Sequence, residues 1–228
     1  CIPTKTLIHE SEISTLLYHN DFDKQSNMYR QAIARKNKLT SFLRENNYEK
    51  LSKRPNVTIY TGKGSLVSAN TVKVALPEEE IELQGKEIFI NTGSTPIIPS
   101  IEGIQQSRNV YTSTTLLELD ILPKHLIIVG GGYIGLEFAS MYAGFGSKVT
   151  LLEAGNRFMP RNDSDIAKSV REVMEKKGVE IRLNVRTQSI HDTHDGVTLT
   201  YSDTSDGTPY FVDGDAILIA TGRKPMIE

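Results

Sequence analysis

The 228-residue sequence predicts an α/β fold with a parallel sheet, and three observations support that prediction. First, an apolar run at 126–129 breaks at a cluster of glycines, and apolar residues then recur at helical spacing. This order indicates a buried strand, a tight turn and a helix. Second, another β-rich run, at 148–152, ends in an acidic residue. Third, the runs at 87–93 and 215–222 both end in Thr-Gly, and this echo hints at two related units.

Two helices are predicted at the start of the chain. The first extends to about Leu17, with Pro3 in its first turn, a position that suits proline. The second is expected from about residue 24 to residue 46. Its inward apolar stripe is expected to consist of Met28, Ala32, Leu39 and Leu43.

From residue 56 the apolar period changes to two, which is typical of strands. Short strands of a meander are expected at 57–60, 65–67, 71–75 and 81–83. The run at 87–93 predicts a buried strand. The prolines at Pro96 and Pro99 then indicate a boundary or crossover.

The last third of the chain continues the α/β pattern. A helix is expected at 163–177, followed by a third parallel strand at 179–183, a hairpin at 197–201 and 210–212, and a final strand from 215. The candidates for the N-cap of the helix are Asn162, Asp163 and Ser164. Its inward stripe is expected to be Ile166, Val170 and Val173.

The glycine cluster has the spacing G-x-G-x-x-G, with glycines at 130, 132 and 135. The first allows a tight turn, the second lets the backbone approach a pyrophosphate, and the third lets the helix pack closely on the strand. Unpaired N–H groups and the helix dipole favour phosphate at the helix N-terminus. The residues predicted to bind a dinucleotide here are Gly130, Gly131, Gly132, Tyr133, Ile134 and Gly135.

Glu153 is the acidic residue that ends the second strand, eighteen residues after Gly135. A carboxylate there can accept hydrogen bonds from the adenosine ribose and repels a 2′-phosphate. Arg157 and Arg161 follow closely and are able to hold a 2′-phosphate, so both nucleotides stay open, with NADH favoured over NADPH. The alternative is an ordinary α/β turn in which Glu153 is a surface charge.

The composition of the chain excludes several classes of binding partner. A formal net charge of −2 argues against nucleic acid or an anionic membrane surface as a partner. A single cysteine excludes an internal disulfide framework, so we expect a cytoplasmic protein, and no run of residues reaches transmembrane length. His191 and His194 lie in a polar hairpin, and no metal site is predicted. Because the chain does not begin with Met, we expect a piece of a longer protein.

Four sequence motifs of the chain resemble motifs of a known protein family, and they occur in the same order as in that family. They are Cys-Ile-Pro-Thr-Lys at 1–5, Thr-Gly-x-x-Pro-x-x-Pro-x-Ile-x-Gly at 92–103, Gly-Gly-Gly-Tyr-Ile-Gly-x-Glu at 130–137 and Ala-Thr-Gly-Arg-x-Pro at 220–225. The chain resembles the class I pyridine nucleotide–disulfide oxidoreductases, such as dihydrolipoamide dehydrogenase, glutathione reductase and mercuric reductase. The sequences of residues 1–9 and 86–93 are similar to those of a bacterial branch of the family that is linked to resistance against reactive chlorine species.

The resemblance implies a Rossmann-like FAD/NAD(P)-binding fold, a three-layer ββα sandwich. It implies a partial FAD-binding domain at 1–117 and a complete NAD(P)-binding domain at 118–228. A first redox cysteine is expected five residues before Cys1, and a dimerisation domain with a His-Glu pair after Glu228. The full-length protein is expected to be a homodimer that acts on a small-molecule substrate. The fragment alone is expected to lack disulfide reductase activity and to bind FAD poorly.

The resemblance also assigns roles to four residues as catalytic. Cys1 matches the flavin-facing redox cysteine, whose thiolate is stabilised by a helix N-terminus and a nearby cation. Lys5 matches a lysine under the flavin, paired with Glu137, and Tyr133 matches an aromatic gate over the flavin. The alternatives without a catalytic role are that Cys1 is a structural cysteine, that Lys5 is an exposed lysine and that Tyr133 is a packing residue. Further positions expected near FAD are Gly64, Thr92, Gly93 and Ser94, and those near NAD(P)H are Thr187 and Gly222.

The expected activity is electron transfer from NAD(P)H through FAD to a redox-active cysteine pair. The final acceptor is a disulfide, a thiol oxidant or a metal ion. Two alternatives are a stand-alone NAD-binding module without catalysis and a single-cysteine coenzyme A–disulfide reductase.

Overall fold

The computed structural model describes residues 1–227 and divides into two compact units. The first unit comprises residues 1–38 and 94–224, and the second comprises 39–93 with the residues after 224. These units reflect packing alone, so the predicted domain boundary between residues 117 and 118 stays a prediction. Within residues 1–227, no helix combines the length and the apolar character needed to cross a bilayer.

Five helices and thirteen strands are found in the described residues. The helices are α1 Ile2–Tyr18, α2 Phe22–Ser52, α3 Ser113–Leu116, α4 Tyr133–Gly144 and α5 Ser164–Lys176. The strands are β1 Lys63–Ser68, β2 Thr71–Ala75, β3 Glu80–Gln84, β4 Ser94–Pro96, β5 Val110–Thr112, β6 His125–Val129, β7 Lys148–Leu152, β8 Val179–Arg182, β9 Val185–Asp192, β10 Val197–Asp203, β11 Pro209–Gly214, β12 Ala216–Ile219 and β13 Arg223–Pro225.

The core of the first unit is a five-stranded sheet with the order β5-β12-β6-β7-β8. Every neighbouring pair in it is parallel, as the α/β prediction requires. Strand β6 is buried on both faces, which explains why its sequence is a continuous apolar run. Leu126 and Ile128 pack into the core shared with the helices, whereas Ile127 and Val129 pack into the core shared with the β9–β11 meander. The predicted three-layer ββα sandwich is therefore confirmed.

The helical layer confirms one predicted stripe and corrects another. In α4, Phe138 and Met141 are fully buried and Ile134 packs against the same core, as predicted. In α5, Val170 packs against the core as predicted, but Ile166 and Val173 are half exposed, and the buried residues are Ala167 and Met174. The inward face of α5 is therefore turned by less than one residue from the predicted face, so that Ala167 and Met174 face the core in place of Ile166 and Val173.

Helix α2 differs from its prediction in length and in its buried face. It ends at Ser52 rather than near residue 46, and of the predicted stripe only Ala32 is fully buried. The buried face in the first unit consists of Gln25, Tyr29, Ala32, Ile33 and Lys36. Two of these side chains carry polar groups that bond to backbone carbonyls of 117–119, so an apolar pattern alone could not locate this face.

The second unit contains the antiparallel meander β1-β2-β3, which confirms the strands predicted around 65–67, 71–75 and 81–83. The strands predicted at 57–60 and 87–93 are wrong. Neither segment forms a β ladder with any of the described residues, and Phe89 is 87% exposed. An apolar run becomes a strand only where a neighbouring strand completes its hydrogen bonds.

Two buried tyrosines join α2, α4 and the segment after α3. The hydroxyl oxygens of Tyr29 and Tyr142 lie 2.9 Å apart, and the Tyr29 hydroxyl donates to the carbonyl of Leu119 at 2.8 Å. Burial raises the pKa of Tyr29 to about 12 and raises the pKa of Tyr142 well above its usual value. Each pKa is raised by folding, so stability is fully present below pH 10 and is lost as pH rises above it.

We expect Tyr29→Phe to lower the free energy of unfolding by about 1–2 kcal/mol at pH 8, because the buried Leu119 carbonyl loses its donor. It should also make the decline of stability above pH 10 shallower. Urea unfolding between pH 8 and pH 11 measures both effects. Tyr48→Phe, at an exposed tyrosine, is the matched control and should change neither. A Tyr29→Phe variant as stable as the control would contradict this account of the pair.

Candidate functional site

The glycine turn lies at the carboxyl end of β6, between β7 and β12. Gly130 has φ +112°, and a Cβ built on it would lie 2.4 Å from the carbonyl oxygen of Ala220. Its N–H donates to the carbonyl of Leu152 at 2.8 Å. Only glycine combines this backbone conformation with such close neighbours. The first glycine of the motif is therefore required by the fold.

The other two motif glycines serve different purposes. A Cβ on Gly135 would lie 2.0 Å from the carbonyl oxygen of Gly130, so this glycine lets α4 pack against the end of β6. A Cβ on Gly132 would meet nothing within 4 Å. Because Gly132 has an ordinary extended backbone, with φ −75° and ψ 179°, neither packing nor conformation requires a glycine there. The open space above it fits a ligand that approaches the backbone.

The N-terminus of α4 is suited to an anionic ligand. Its N-cap is Gly132, and no side chain among residues 1–227 caps it. The N–H groups of the first turn point into the open space with the positive end of the helix dipole behind them. These features fit the pyrophosphate of a dinucleotide, and the turn and helix supply the groups that would hold it.

Glu153 lies beside this turn, at the end of β7. One carboxylate oxygen accepts from the N–H of Gly131 at 2.6 Å, and the other accepts from the N–H of Gly155 at 2.7 Å. The backbone carbonyl of Glu153 accepts from the N–H of Val185, which begins β9. Thr187 is two residues further along β9 and half-buried, so the structure places its strand next to Glu153.

An ion pair joins α1 to α4 one turn beyond the start of α4. The Lys5 ammonium donates to the Glu137 carboxylate, and the two side chains are 61% and 39% exposed. Cys1 is exposed and forms the N-cap of α1, and its carbonyl accepts from the N–H of Lys5 at 3.0 Å. The structure thus brings together Lys5, Glu137 and the cysteine-bearing end of α1, as the resemblance implied.

Tyr133 is the first residue of α4 and is 66% exposed. Its hydroxyl donates to Oδ1 of Asn162 at 3.1 Å. The sequence suggested Asn162 only as a helix cap, but the N-cap of α5 is Asp163. No spacing rule links residues 133 and 162, so this contact was not foreseeable from the sequence.

The remaining residues that were predicted to bind FAD or NAD(P)H lie outside the glycine turn, and they are divided between the two units. Gly222 follows β12 with φ +132°, and its carbonyl accepts from Ile97 at 3.0 Å. Ser94 lies in the same unit and accepts from Nε of Arg223 at 2.8 Å. In the second unit, Gly64 is part of β1, and Thr92 precedes Gly93, which has φ +74° and open space around its α-carbon. Within residues 1–227, no three His, Cys, Asp or Glu side chains are grouped to hold a metal.

Comparisons with known proteins agree with this geometry. A family model described as pyridine nucleotide-disulphide oxidoreductase matches residues 1–228. The probable pyridine nucleotide-disulfide oxidoreductase RclA of Escherichia coli (strain K12) is 42% identical over 225 residues, covering 99% of this chain and 47% of that protein. Mercuric reductase of Lysinibacillus sphaericus is 32% identical over 230 residues, covering 99% of this chain and 41% of that protein.

Solved structures give the same result. The Cu(II) complex of the HOCl-induced flavoprotein disulfide reductase RclA from Escherichia coli matches with a TM-score of 0.87 and 41% identity, covering 99% of this chain and 47% of that one. LpdA from Mycobacterium tuberculosis matches with a TM-score of 0.81 and 26% identity, covering 99% and 50%. The chain thus spans about half the length of these relatives. It belongs to the class I pyridine nucleotide–disulphide oxidoreductase family, on the branch that includes RclA.

Proposed function

We propose that the full-length protein is a flavin-dependent oxidoreductase that passes electrons from NADH to a redox-active cysteine pair and on to a substrate. In this proposal Cys1 is one cysteine of the pair, and the family motif places the other five residues before it. Two electrons and one proton from NADH, with a proton from solvent, convert the cysteine disulfide to a dithiol. The dithiol then reduces the substrate and becomes a disulfide again.

The observation that carries this proposal is the ion pair between Lys5 and Glu137. It joins α1, whose N-cap is Cys1, to α4, whose N-terminus has the open glycine turn. A plain dinucleotide-binding module has no need for a cysteine-bearing helix tied to its phosphate-binding helix. An electron-transfer enzyme does, because the electron donor and the redox cysteine must lie near the same cofactor.

The residues present fit NAD(P)H at the glycine turn. We propose that the α4 N-terminus holds the pyrophosphate and that Glu153 accepts hydrogen bonds from the adenosine ribose. Both Glu153 oxygens are already held by backbone N–H groups, which keeps the carboxylate fixed at this position. A fixed negative charge there disfavours a 2′-phosphate, so we propose NADH as the preferred donor. Arg157 is exposed in the loop that follows and is the residue through which NADPH would compete.

We propose FAD as the second cofactor, which would accept a hydride and return electrons in pairs. Lys5, Gly64, Thr92, Gly93 and Ser94 are the residues of this chain proposed to contact it. The structure supports such a role for Gly93, since its positive φ and the open space around it leave a backbone that a flat ring can approach. Lys5 would hold a positive charge near the reacting atoms, with Glu137 fixing its position.

The substrate class is proposed from the relatives. RclA is described as a disulfide reductase and was solved as a Cu(II) complex, and another relative is a mercuric reductase. A disulfide, a thiol oxidant or a metal ion is therefore the proposed acceptor. We further propose a cytoplasmic homodimer, the arrangement that the family resemblance implies.

In the full-length protein, we expect Lys5→Met to lower the rate of NADH-dependent disulfide reduction about 100-fold, because a preorganised charge near the reacting centre is lost. The dissociation constant for NAD⁺ should change by less than about twofold, since Lys5 is not part of the glycine turn. Steady-state kinetics and calorimetric titration measure the two quantities.

Lys24→Met is the matched control, because Lys24 is 64% exposed and also pairs with a carboxylate, that of Asp21. It should leave both the disulfide reduction rate and the affinity for NAD⁺ unchanged. If Lys5→Met behaves like Lys24→Met, the proposed place of α1 in electron transfer is wrong.

A further inference from the structure

We call the space between the N-terminus of α4 and the loop that follows β7 the nucleotide cleft, and one hydrogen bond spans it. Tyr133 stands at the N-terminus of α4, and Asn162 stands in the loop between β7 and α5. The Tyr133 hydroxyl donates to Oδ1 of Asn162 at 3.1 Å. The loop begins directly after β7 and Asn162 lies two residues before α5, so Tyr133 links the helix proposed to hold the phosphate to the loop that follows Glu153.

The loop holds Asn162 in place by its own backbone. The N–H of Asn162 donates to the carbonyl of Met159 at 3.0 Å, and Met159 adopts φ +47°, a left-handed conformation unusual for a residue with a side chain. Asn162 is partly buried, while its neighbours Arg161 and Asp163 are exposed. The side-chain amide is therefore presented toward Tyr133 by a shaped turn.

Tyr133 has few other restraints. Two thirds of its side chain is exposed, and its ring forms none of the aromatic pairs seen within residues 1–227. A large aromatic side chain so exposed would sample several rotamers if its hydroxyl had no partner. The bond to Asn162 selects the rotamer that lies across the cleft.

We infer that Asn162 is a positioning residue for Tyr133, the residue that the family resemblance makes an aromatic gate, and that its hydrogen bond holds the ring across the nucleotide cleft until a dinucleotide displaces it. This inference rests on the proposed nucleotide site. Because the binding-competent state is populated only when the bond is open, the bond lowers the apparent affinity for nucleotide. An exposed hydrogen bond exchanges for bonds to water at small net cost, so the change in affinity is modest and binding stays fast.

The test is calorimetric titration of the full-length protein with NAD⁺. Asn162→Ala and Tyr133→Phe remove the same bond from its two ends, so each should tighten binding about three- to fivefold. The double variant should be no tighter than either single variant, because there is only one bond to lose. Asn156→Ala, in the same loop, should leave the affinity unchanged.

A second measurement needs no nucleotide. Hydrogen exchange of the peptide spanning 154–163 should be faster in Asn162→Ala and in Tyr133→Phe than in the wild type, and unchanged beyond position 164. If wild-type protein binds NAD⁺ and the single variants bind equally or more weakly, or their effects add, the inference is wrong and the proposed function stands. If wild-type protein fails to bind NADH and NAD⁺, both are wrong.

Discussion

Replacing Gly135 with alanine is expected to destabilise the protein by at least about 3 kcal/mol. The new Cβ would lie 2.0 Å from the carbonyl oxygen of Gly130 and 3.4 Å from Cγ2 of Ile128. The first neighbour is backbone and is fixed by the turn, so it cannot move aside as a side chain would. Helix α4 would have to shift away from β6, which opens the core around Phe138 and Met141. Thermal unfolding should show a decrease in Tm of about 6–12 °C.

Gly132→Ala is the matched control in the same motif, and it separates folding from binding. Its Cβ would meet nothing within 4 Å, and its backbone suits alanine. We expect Tm to fall by only about 2–4 °C, because alanine at an N-cap costs on the order of 1 kcal/mol relative to glycine. Affinity for NAD⁺ should fall at least about tenfold, since the methyl group occupies the space over the helix N-terminus. Equal effects of both substitutions on Tm would contradict the division of roles among the glycines.

Replacing Cys1 with serine in the full-length protein is expected to reduce NADH-dependent disulfide reduction to the background rate. Cys1 is the single cysteine of the 228 residues, and serine differs from it by one atom. A hydroxyl at this position can neither form a disulfide nor act as the thiolate that attacks one. Serine is also a favourable N-cap, so α1 should keep its stability. The measured quantity is the steady-state rate with a small disulfide as acceptor.

The control reaction for Cys1→Ser uses the same protein with a different acceptor. A quinone takes electrons from a reduced flavin without needing a thiol. Its NADH-dependent reduction should therefore stay within about threefold of the wild-type rate, because the transition state for that transfer involves no group at residue 1. Retained disulfide reduction in Cys1→Ser would show that Cys1 is not the redox cysteine.

The parallel sheet and the glycine turn were predictable because each residue there meets a local requirement. The strand at 126–129 is buried on both faces, so its sequence is apolar throughout. Gly130 and Gly135 are needed by the backbone itself. Glu153 was predictable for the same reason, since it directly follows a buried strand.

The features that the sequence did not predict correctly have a different cause in common. The segment 87–93 has the composition of a buried strand, yet no described strand forms a β ladder with it. The inward face of α2 includes Lys36, which is buried because its ammonium reaches the carbonyl of Leu117 at 2.7 Å. The contact between Tyr133 and Asn162 depends on the shape of a loop. Each is decided by partners distant in the sequence, which a pattern of apolar residues does not reveal.

The most direct test of the central claim is an anaerobic titration of the full-length protein, first with NADH and then with NADPH, followed by absorbance spectroscopy. The claim is that the nucleotide at the glycine turn and Cys1 at the start of α1 serve one electron-transfer path. A long-wavelength charge-transfer band should appear during reduction, at lower concentrations of NADH than of NADPH. No such band with either nucleotide would contradict the role of Cys1 and, with it, the proposed path.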